Sequence, residues 1–173
     1  KRYRKTLEMK LNTIIKSIDL ISSKDKVIFN SSGNFVINYG NNFIDEDEEI
    51  KLQAEVELVD NIISLLIDIN FSYKRHCGRC LKVSSFKDSN TFMTRLNIKE
   101  DNDYEINFED DYYDLSPFIS ESIIEKMDIN FICDIKCRGL CSSCGANLNK
   151  LTCNCSEKNI KESPFSSLSQ LDL

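Results

Sequence analysis

The chain has 173 residues, of which 41% are apolar and 29% charged, with a formal net charge of −6 and a pI of about 4.9. That length carries one ordinary domain, or one domain with a small module, and the acidity argues against a protein that coats nucleic acid by bulk charge. The longest apolar run, Ile62–Ile69, is broken by Ser64 and Asp68 and falls well short of the ~20 apolar residues of a membrane span, so no membrane partner is expected.

Residues 1–10 (KRYRKTLEMK) are basic with no apolar stretch behind them. They read as a mobile lead-in rather than a secretory signal. Leu11–Ile21 has mixed apolar spacing and suits a strand or a short helix. Val27–Asn30 and Phe35–Tyr39 flank Ser31-Ser32-Gly33-Asn34 and predict a hairpin turning at the glycine. Gly40–Glu49 reads as a polar, acidic loop.

Ile50, Leu52, Ala54, Val56 and Leu58 alternate with polar residues, a period of two that puts one set on a core and the other in water. Asp60-Asn61 suits a turn. A second alternating strand, Leu65 to Tyr73, leads directly into Cys77. Phe92, Thr94, Leu96 and Ile98 predict a third, and Tyr104, Ile106 and Phe108 a short fourth. Ser116-Pro117 signals a helix start, and Ile119, Ile123 and Met127 then share one face of a helix near 117–127. Ser163-Pro164 repeats that signal, and Phe165, Leu168 and Leu171 suit a last short helix.

Eight cysteines carry the chemistry: Cys77 and Cys80 form one C-x-x-C pair, and Cys133, Cys137, Cys141, Cys144, Cys153 and Cys155 cluster later. In a reducing cytosol, the compartment expected here, such clusters mean metal rather than disulfides. Zinc takes four thiolates at about 2.3 Å in closed structural sites. Cys141, Cys144, Cys153 and Cys155 suit one ion, because the loop between the two pairs is short. Cys77 and Cys80 would then share a second ion with Cys133 and Cys137 across more than fifty residues, stapling a strand end to the C-terminal segment. The other grouping joins Cys133, Cys137, Cys141 and Cys144 and leaves Cys77 and Cys80 with His76 or with nothing. The first is preferred because it orphans no pair. Iron–sulfur ligation is a lesser alternative. Gly139 and Gly145 fall where the chain must curl beside the cysteines.

The fold expected is therefore α+β: an antiparallel β-rich body over 11–132 with a few short helices, and a Cys-rich, zinc-binding C-terminal module over 133–173 packed on it, as a monomer. All-cysteine sites are structural rather than catalytic. No nucleophile–base pair forms around His76, the single histidine, and no glycine-rich phosphate loop is present. No enzyme and no small-molecule substrate are expected. Lys74, Arg75, Arg79, Lys82, Lys136 and Arg138 flank the cysteine turns. They either grip nucleic-acid phosphate or offset thiolate charge. The acidic runs Asp45–Glu49 and Glu100–Asp114 are solvated loops, or meet a basic partner such as a ribosomal protein.

These motifs together resemble the YceD family, the large ribosomal RNA subunit accumulation proteins. The resemblance rests on CGRCL at Cys77–Leu81, on CDIKCRGLCSSCGANLN at Cys133–Asn149, on the C-x-C at Cys153–Cys155, and on the tail PFSSLSQL. Ser142 stands where the family commonly has proline, and Glu162-Ser163-Pro164-Phe165 replaces its usual Asp-Pro-Arg. The resemblance implies a non-enzymatic role in accumulation or processing of large-subunit (23S) ribosomal RNA, in a bacterial cytoplasm or a plastid. Pre-ribosomal RNA or a ribosomal protein would be the partner. A zinc-dependent protein–protein adaptor, or a redox-sensitive zinc switch, is the alternative.

Overall fold

A computed structural model describes residues 10–23, 25–100, 104 and 111–155. Along the chain come β1 (Ile14–Lys16), α1 (Ser17–Ser22), β2 (Val27–Asn34), β3 (Ile37–Tyr39), β4 (Asn42–Ile44), β5 (Glu49–Val59), β6 (Ile62–His76), β7 (Val83–Asn97), β8 (Tyr112–Asp114) and α2 (Ser116–Ile124).

The period-two pattern of β5 and β6 sets the architecture. Ile50, Leu52, Ala54 and Val56 are buried on one strand and Ile63, Leu65, Ile67, Ile69, Phe71 and Tyr73 on the other. Antiparallel pairing aligns the two sets, with Leu52 opposite Ile69 and Ala54 opposite Ile67. Asp60 and Asn61 join the strands with φ values of 49° and 68°, as a two-residue hairpin of the primed type demands. β6 is the spine. β7 pairs along its whole length, so β5 and then β4 share its opposite edge. β2 lies outside β5 and β3 outside β4, all antiparallel.

Both helices lie against the apolar face of this sheet. Leu20 of α1, Phe118, Ile119 and Ile123 of α2, and Met127 just beyond it join the same buried cluster as β5 and β6. The i, i+4, i+8 spacing of Ile119, Ile123 and Met127 is thus a core face, as the sequence pattern expects. A separate two-stranded pairing of β1 with β8 sets Ile15 opposite Tyr113.

Several expectations need correction. Gly33 is not a turn. It lies inside β2, paired with Ile50, because β5 offers a complete antiparallel ladder that outweighs the poor strand propensity of Ser-Ser-Gly-Asn. The reversal comes later, at Gly40 (φ 59°), between β3 and β4. The acidic loop therefore contains a strand, with Asn42 and Ile44 buried. The third predicted strand starts at Val83 rather than Phe92. Its polar first half is held by β6, with Val83 opposite His76 and Phe86 opposite Tyr73. Ser116 is not the cap of α2. Leu115 precedes the helix, and the Asp114 carboxylate accepts from the Ser116 N–H at 2.9 Å and from its hydroxyl at 2.8 Å. Of the predicted fourth strand, Tyr104 lies in a turn with its ring centroid 4.3 Å from that of Phe118. Ile106 and Phe108, residues 1–9 and the tail helix lie outside the described residues.

Candidate metal centre and the surface around it

β6 ends at His76 and the chain turns at once. The Cys77 N–H donates to the Lys82 carbonyl at 2.9 Å, and the Leu81 N–H donates back to the Cys77 carbonyl at 3.0 Å. β7 then begins, so the Cys77–Cys80 pair sits at the tip of the long β6–β7 hairpin. The segment after α2 returns to this tip. Asn42 Nδ2 donates to the Asp128 carbonyl at 3.1 Å, and the Gly78 N–H donates to the Phe131 carbonyl at 2.9 Å. Phe131 packs edge-on to Phe86 of β7. Cys133 and Cys137 arrive beside the tip as a result.

The eight sulfurs gather into two groups, Cys77, Cys80, Cys133 and Cys137, and Cys141, Cys144, Cys153 and Cys155, each with all its sulfurs within 4.8 Å of one another. His76 belongs to neither; its ring stacks on Phe43 at 4.9 Å. In the first group Cys77 Sγ lies 3.9 Å from Cys137 Sγ and Cys80 Sγ lies 3.6 Å from Cys133 Sγ. Four sulfurs each about 2.3 Å from a central ion would be about 3.8 Å apart, whereas a disulfide needs about 2.05 Å. The donor set and its spacing fit a tetrahedral thiolate-loving ion such as zinc.

The second group repeats the first. The Cys141 N–H donates to the Ala146 carbonyl at 2.8 Å and the Gly145 N–H donates to the Cys141 carbonyl at 2.9 Å. Both C-x-x-C turns therefore close with the same two backbone bonds. The residue after the second cysteine of each pair has positive φ: 58° at Leu81 and 72° at Gly145. Glycine holds that conformation without penalty; leucine there costs about 1–2 kcal/mol. Gly139, at φ 73°, is constrained twice, since a Cβ would also lie 3.1 Å from the Arg79 carbonyl. That carbonyl accepts the Leu140 N–H at 3.0 Å, tying the two turns together.

Fixed donors face the sulfurs. The N–H groups of Arg79 and Cys133 each approach Cys77 Sγ at 3.4 Å, and Asn149 Nδ2 approaches Cys137 Sγ at 3.3 Å. Burial pushes the Cys77 thiol up, but backbone N–H donors from Cys133, Cys80 and Arg79 overcome it and bring it down to about 6. Burial also opposes ionisation of Cys137, where the Gly139 N–H and Asn149 turn the balance downward. Cys133, hydrogen-bonded to the Cys80 thiol and desolvated, is pushed up to about 12. In the second group backbone N–H groups of Cys144 and Ser143 bring Cys141 down to about 6, while its bond to Cys144, with desolvation, pushes Cys155 up to about 12. Neighbouring thiols thus split apart. Four thiolates can coexist at this separation when a cation sits among them.

The two groups differ in exposure. Cys77, Cys80 and Cys137 are buried, whereas Cys144 and Cys155 are exposed.

The six cations singled out in the sequence separate into two kinds. Lys74 is held by acids, 2.7 Å from Asp45, 3.5 Å from Glu48 and 3.9 Å from Asp47. Hydrogen bonding to Asp45, opposed by desolvation, raises its pKa. The Arg75 guanidinium lies over the rings of Tyr73, Phe86 and Phe131 and donates to the Tyr73 hydroxyl and, at 3.2 Å, to the Lys126 carbonyl. Both have partners within the fold. Arg79, Lys82, Lys136 and Arg138 are exposed beside the first group. Arg79 also donates to the Cys137 carbonyl at 3.2 Å. Lys82 and Lys136 line a cleft of about 600 Å³ together with Lys150, Asn147 and Asn149. Sequence reasoning passed over Asn149, whose Oδ1 also accepts the Arg138 N–H at 2.7 Å. Its signals were its place between two cysteine pairs and at the end of the motif Cys133–Asn149.

The fold and site define a class: an antiparallel β protein with two four-sulfur knuckles, one joining its hairpin tip to a cysteine-rich C-terminal segment and one within that segment. A family model described as "Large ribosomal RNA subunit accumulation protein YceD" matches residues 65–172, which include all eight cysteines. The chain belongs to the YceD family. It is also similar to "Large ribosomal RNA subunit accumulation protein YCED homolog 1, chloroplastic" of Arabidopsis thaliana, at 45% identity over 42 residues. That similarity covers 24% of this chain and 13% of the relative's own length. No solved structure matches the chain. Among the described residues no helix is long and apolar enough to cross a membrane.

Proposed function

We propose that this protein is a non-enzymatic ribosome-biogenesis factor that supports accumulation or processing of large-subunit (23S) ribosomal RNA. It works in a bacterial cytoplasm or, in a eukaryote, a plastid. The observation that carries the reading is the family match over residues 65–172. In this reading Cys77, Cys80, Cys133 and Cys137 hold one zinc ion, and Cys141, Cys144, Cys153 and Cys155 a second. Zinc here supplies cross-links rather than a reactive position, because four thiolates leave none open. The segment from Cys133 onward is a metal-closed module that presents basic side chains to pre-ribosomal RNA.

Depletion of the protein should lower mature large-subunit RNA relative to small-subunit RNA, and re-expression should restore it. An unchanged ratio would sink the reading. Elemental analysis should give two zinc ions per chain.

A second reading, an adaptor for a basic ribosomal protein, draws support from the net charge of −6 and from Asp47, whose side chain is 79% exposed. Crosslinking in cells separates the two: RNA adducts at the cysteine-rich end favour the first, protein adducts alone the second. The exposed thiols Cys144 and Cys155 make a redox switch the alternative form of this reading, with a test of its own. Zinc loss at physiological peroxide doses would support it.

A further inference from the structure

We propose that the cleft lined by Lys82, Lys136 and Lys150 binds the sugar–phosphate backbone of single-stranded RNA; the inference rests on, and deepens, the function proposed above. The three lysines come from different segments: the exit of the first knuckle, the turn before Cys137, and the loop between the outer cysteine pairs. The fold brings them to one place, where a cleft of about 600 Å³ opens against Cys80, Cys133 and Cys137 of the first sulfur group. That size lies within the range of ligand-binding clefts, about 300–1,000 Å³. Asn147 and Asn149 add amide groups to the wall.

The charge balance supports a polyanion. Asp134 also lines the cleft and adds one negative charge; its carboxylate accepts the Lys136 backbone N–H at 2.7 Å. A loaded four-thiolate site carries about two negative charges; Arg79 and Arg138 alongside return the balance to positive. In a chain of net charge −6 this is a local basic surface, which positions a phosphate backbone without bulk attraction.

Leu81 is the second, independent observation. It lines the same cleft, is 59% exposed, and holds a φ of 58° at the place where the sister knuckle has glycine. Nothing in its packing explains an apolar side chain there, since it is mostly in water. The positive φ belongs to the closing of the metal turn, as in its sister; the exposed side chain is what offers a ribose or base an apolar shelf between lysines.

The test uses full-length, zinc-loaded protein and labelled, in-vitro-transcribed fragments tiling large-subunit ribosomal RNA, titrated across a salt series. Each phosphate contact to a single strand contributes about 0.7 to the slope of log K against log salt. The triple variant K82Q/K136Q/K150Q should lower that slope by about 2 and weaken binding about a hundredfold at ~0.1 M salt. A control, K51Q/K87Q/K99Q, changes the net charge equally on exposed sites away from the cleft and should leave the slope within about 0.7 of wild type. Leu81→Gly should weaken binding with the slope unchanged. Zinc content in each variant separates lost binding from lost folding, and Lys150→Gln alone, with an expected slope change of about 0.7, covers the case in which the triple variant does not fold.

If wild type binds the RNA and the triple variant matches the control, the cleft is wrong while the broader function stands. If wild type binds no fragment, or prefers polyglutamate to RNA, direct RNA contact is wrong and this inference goes with it. Large-subunit RNA levels after depletion then judge the broader function separately.

Discussion

Leu81 and Gly145 occupy the same position in two copies of one turn, each following the second cysteine of a C-x-x-C pair, with φ values of 58° and 72°. The chain thus carries a leucine in a conformation that its own sister turn assigns to glycine. Leu81→Gly should relieve about 1–2 kcal/mol of backbone strain and lose about 0.5–1 kcal/mol to the freer unfolded chain. The two together predict a net stabilisation between zero and about 1.5 kcal/mol in urea unfolding of the zinc-loaded protein. A destabilised variant would show that Leu81 has a packing role.

Gly139→Ala and Gly145→Ala separate two causes. Both impose positive φ on alanine, at a cost of about 1–2 kcal/mol. Only Gly139 also meets a neighbour, since its Cβ would stand 3.1 Å from the Arg79 carbonyl. Gly139→Ala should therefore be the more destabilising by thermal melting, and should loosen the Leu140–Arg79 bond that couples the turns. Equal effects would argue that the carbonyl shifts freely.

Metal removal should proceed in two phases. Cys144 and Cys155 are exposed, whereas Cys77, Cys80 and Cys137 are buried. A chelator with a coloured zinc complex should draw one equivalent rapidly and the second slowly. Cys155→Ser should abolish the fast phase and leave most of the sheet intact by circular dichroism. Cys77→Ser should remove the slow phase and destabilise the hairpin tip. Single-phase release of both ions would contradict this order.

Asp114 supplies a pH test. Desolvation pushes its carboxyl up, but the Thr13 hydroxyl at 2.7 Å and the Ser116 N–H and hydroxyl outweigh it and hold the pKa below the usual 3.8. A folded pKa below the unfolded one stabilises the protein while the group is ionised. That contribution is present in full above the unfolded value and fades as pH falls through the folded one. Asp114→Asn should destabilise the protein at neutral pH, and the gap to wild type should begin to close as pH falls below about 3.9, the unfolded value. The urea midpoint of both proteins against pH reads this out. A constant gap would mean that charge is not the cause.

Arg75 and Lys74 should behave as structural residues. Arg75 covers three aromatic rings at 4.8, 4.8 and 5.8 Å, each contact worth roughly 0.5–2 kcal/mol. Arg75→Lys should lower the melting temperature, since an ammonium cannot stack as a guanidinium does. Lys74→Gln should change stability by about 1 kcal/mol or less, its acidic partners being partly solvated. Neither should alter the salt slope of RNA binding. A fall of about 0.7 or more for either one would return it to the phosphate-binding set.

Local pattern carried much of the architecture. The alternation at Ile50–Leu58 and Leu65–Tyr73 shows in the buried faces of β5 and β6, and the apolar face of α2 follows from Ile119, Ile123 and Met127. Where the sequence misled, long-range pairing overrode local composition. Gly33 reads as a turn until β5 is laid beside it. The first half of β7 reads as a polar connection until β6 supplies its hydrogen bonds.

From the sequence alone came the number of thiols, their pairing by spacing, the two alternating strands, and the family motifs. Each is a property of a few neighbouring residues, for which short-range geometry suffices. Tertiary structure decided which pairs meet, because Cys80 and Cys133 are 53 residues apart and only the β6–β7 hairpin and the segment after α2 bring them together. It also decided which cations have partners, because whether a lysine meets a carboxylate depends on what the fold sets beside it. Asp45 takes Lys74, and three lysines from three segments are left around one cleft.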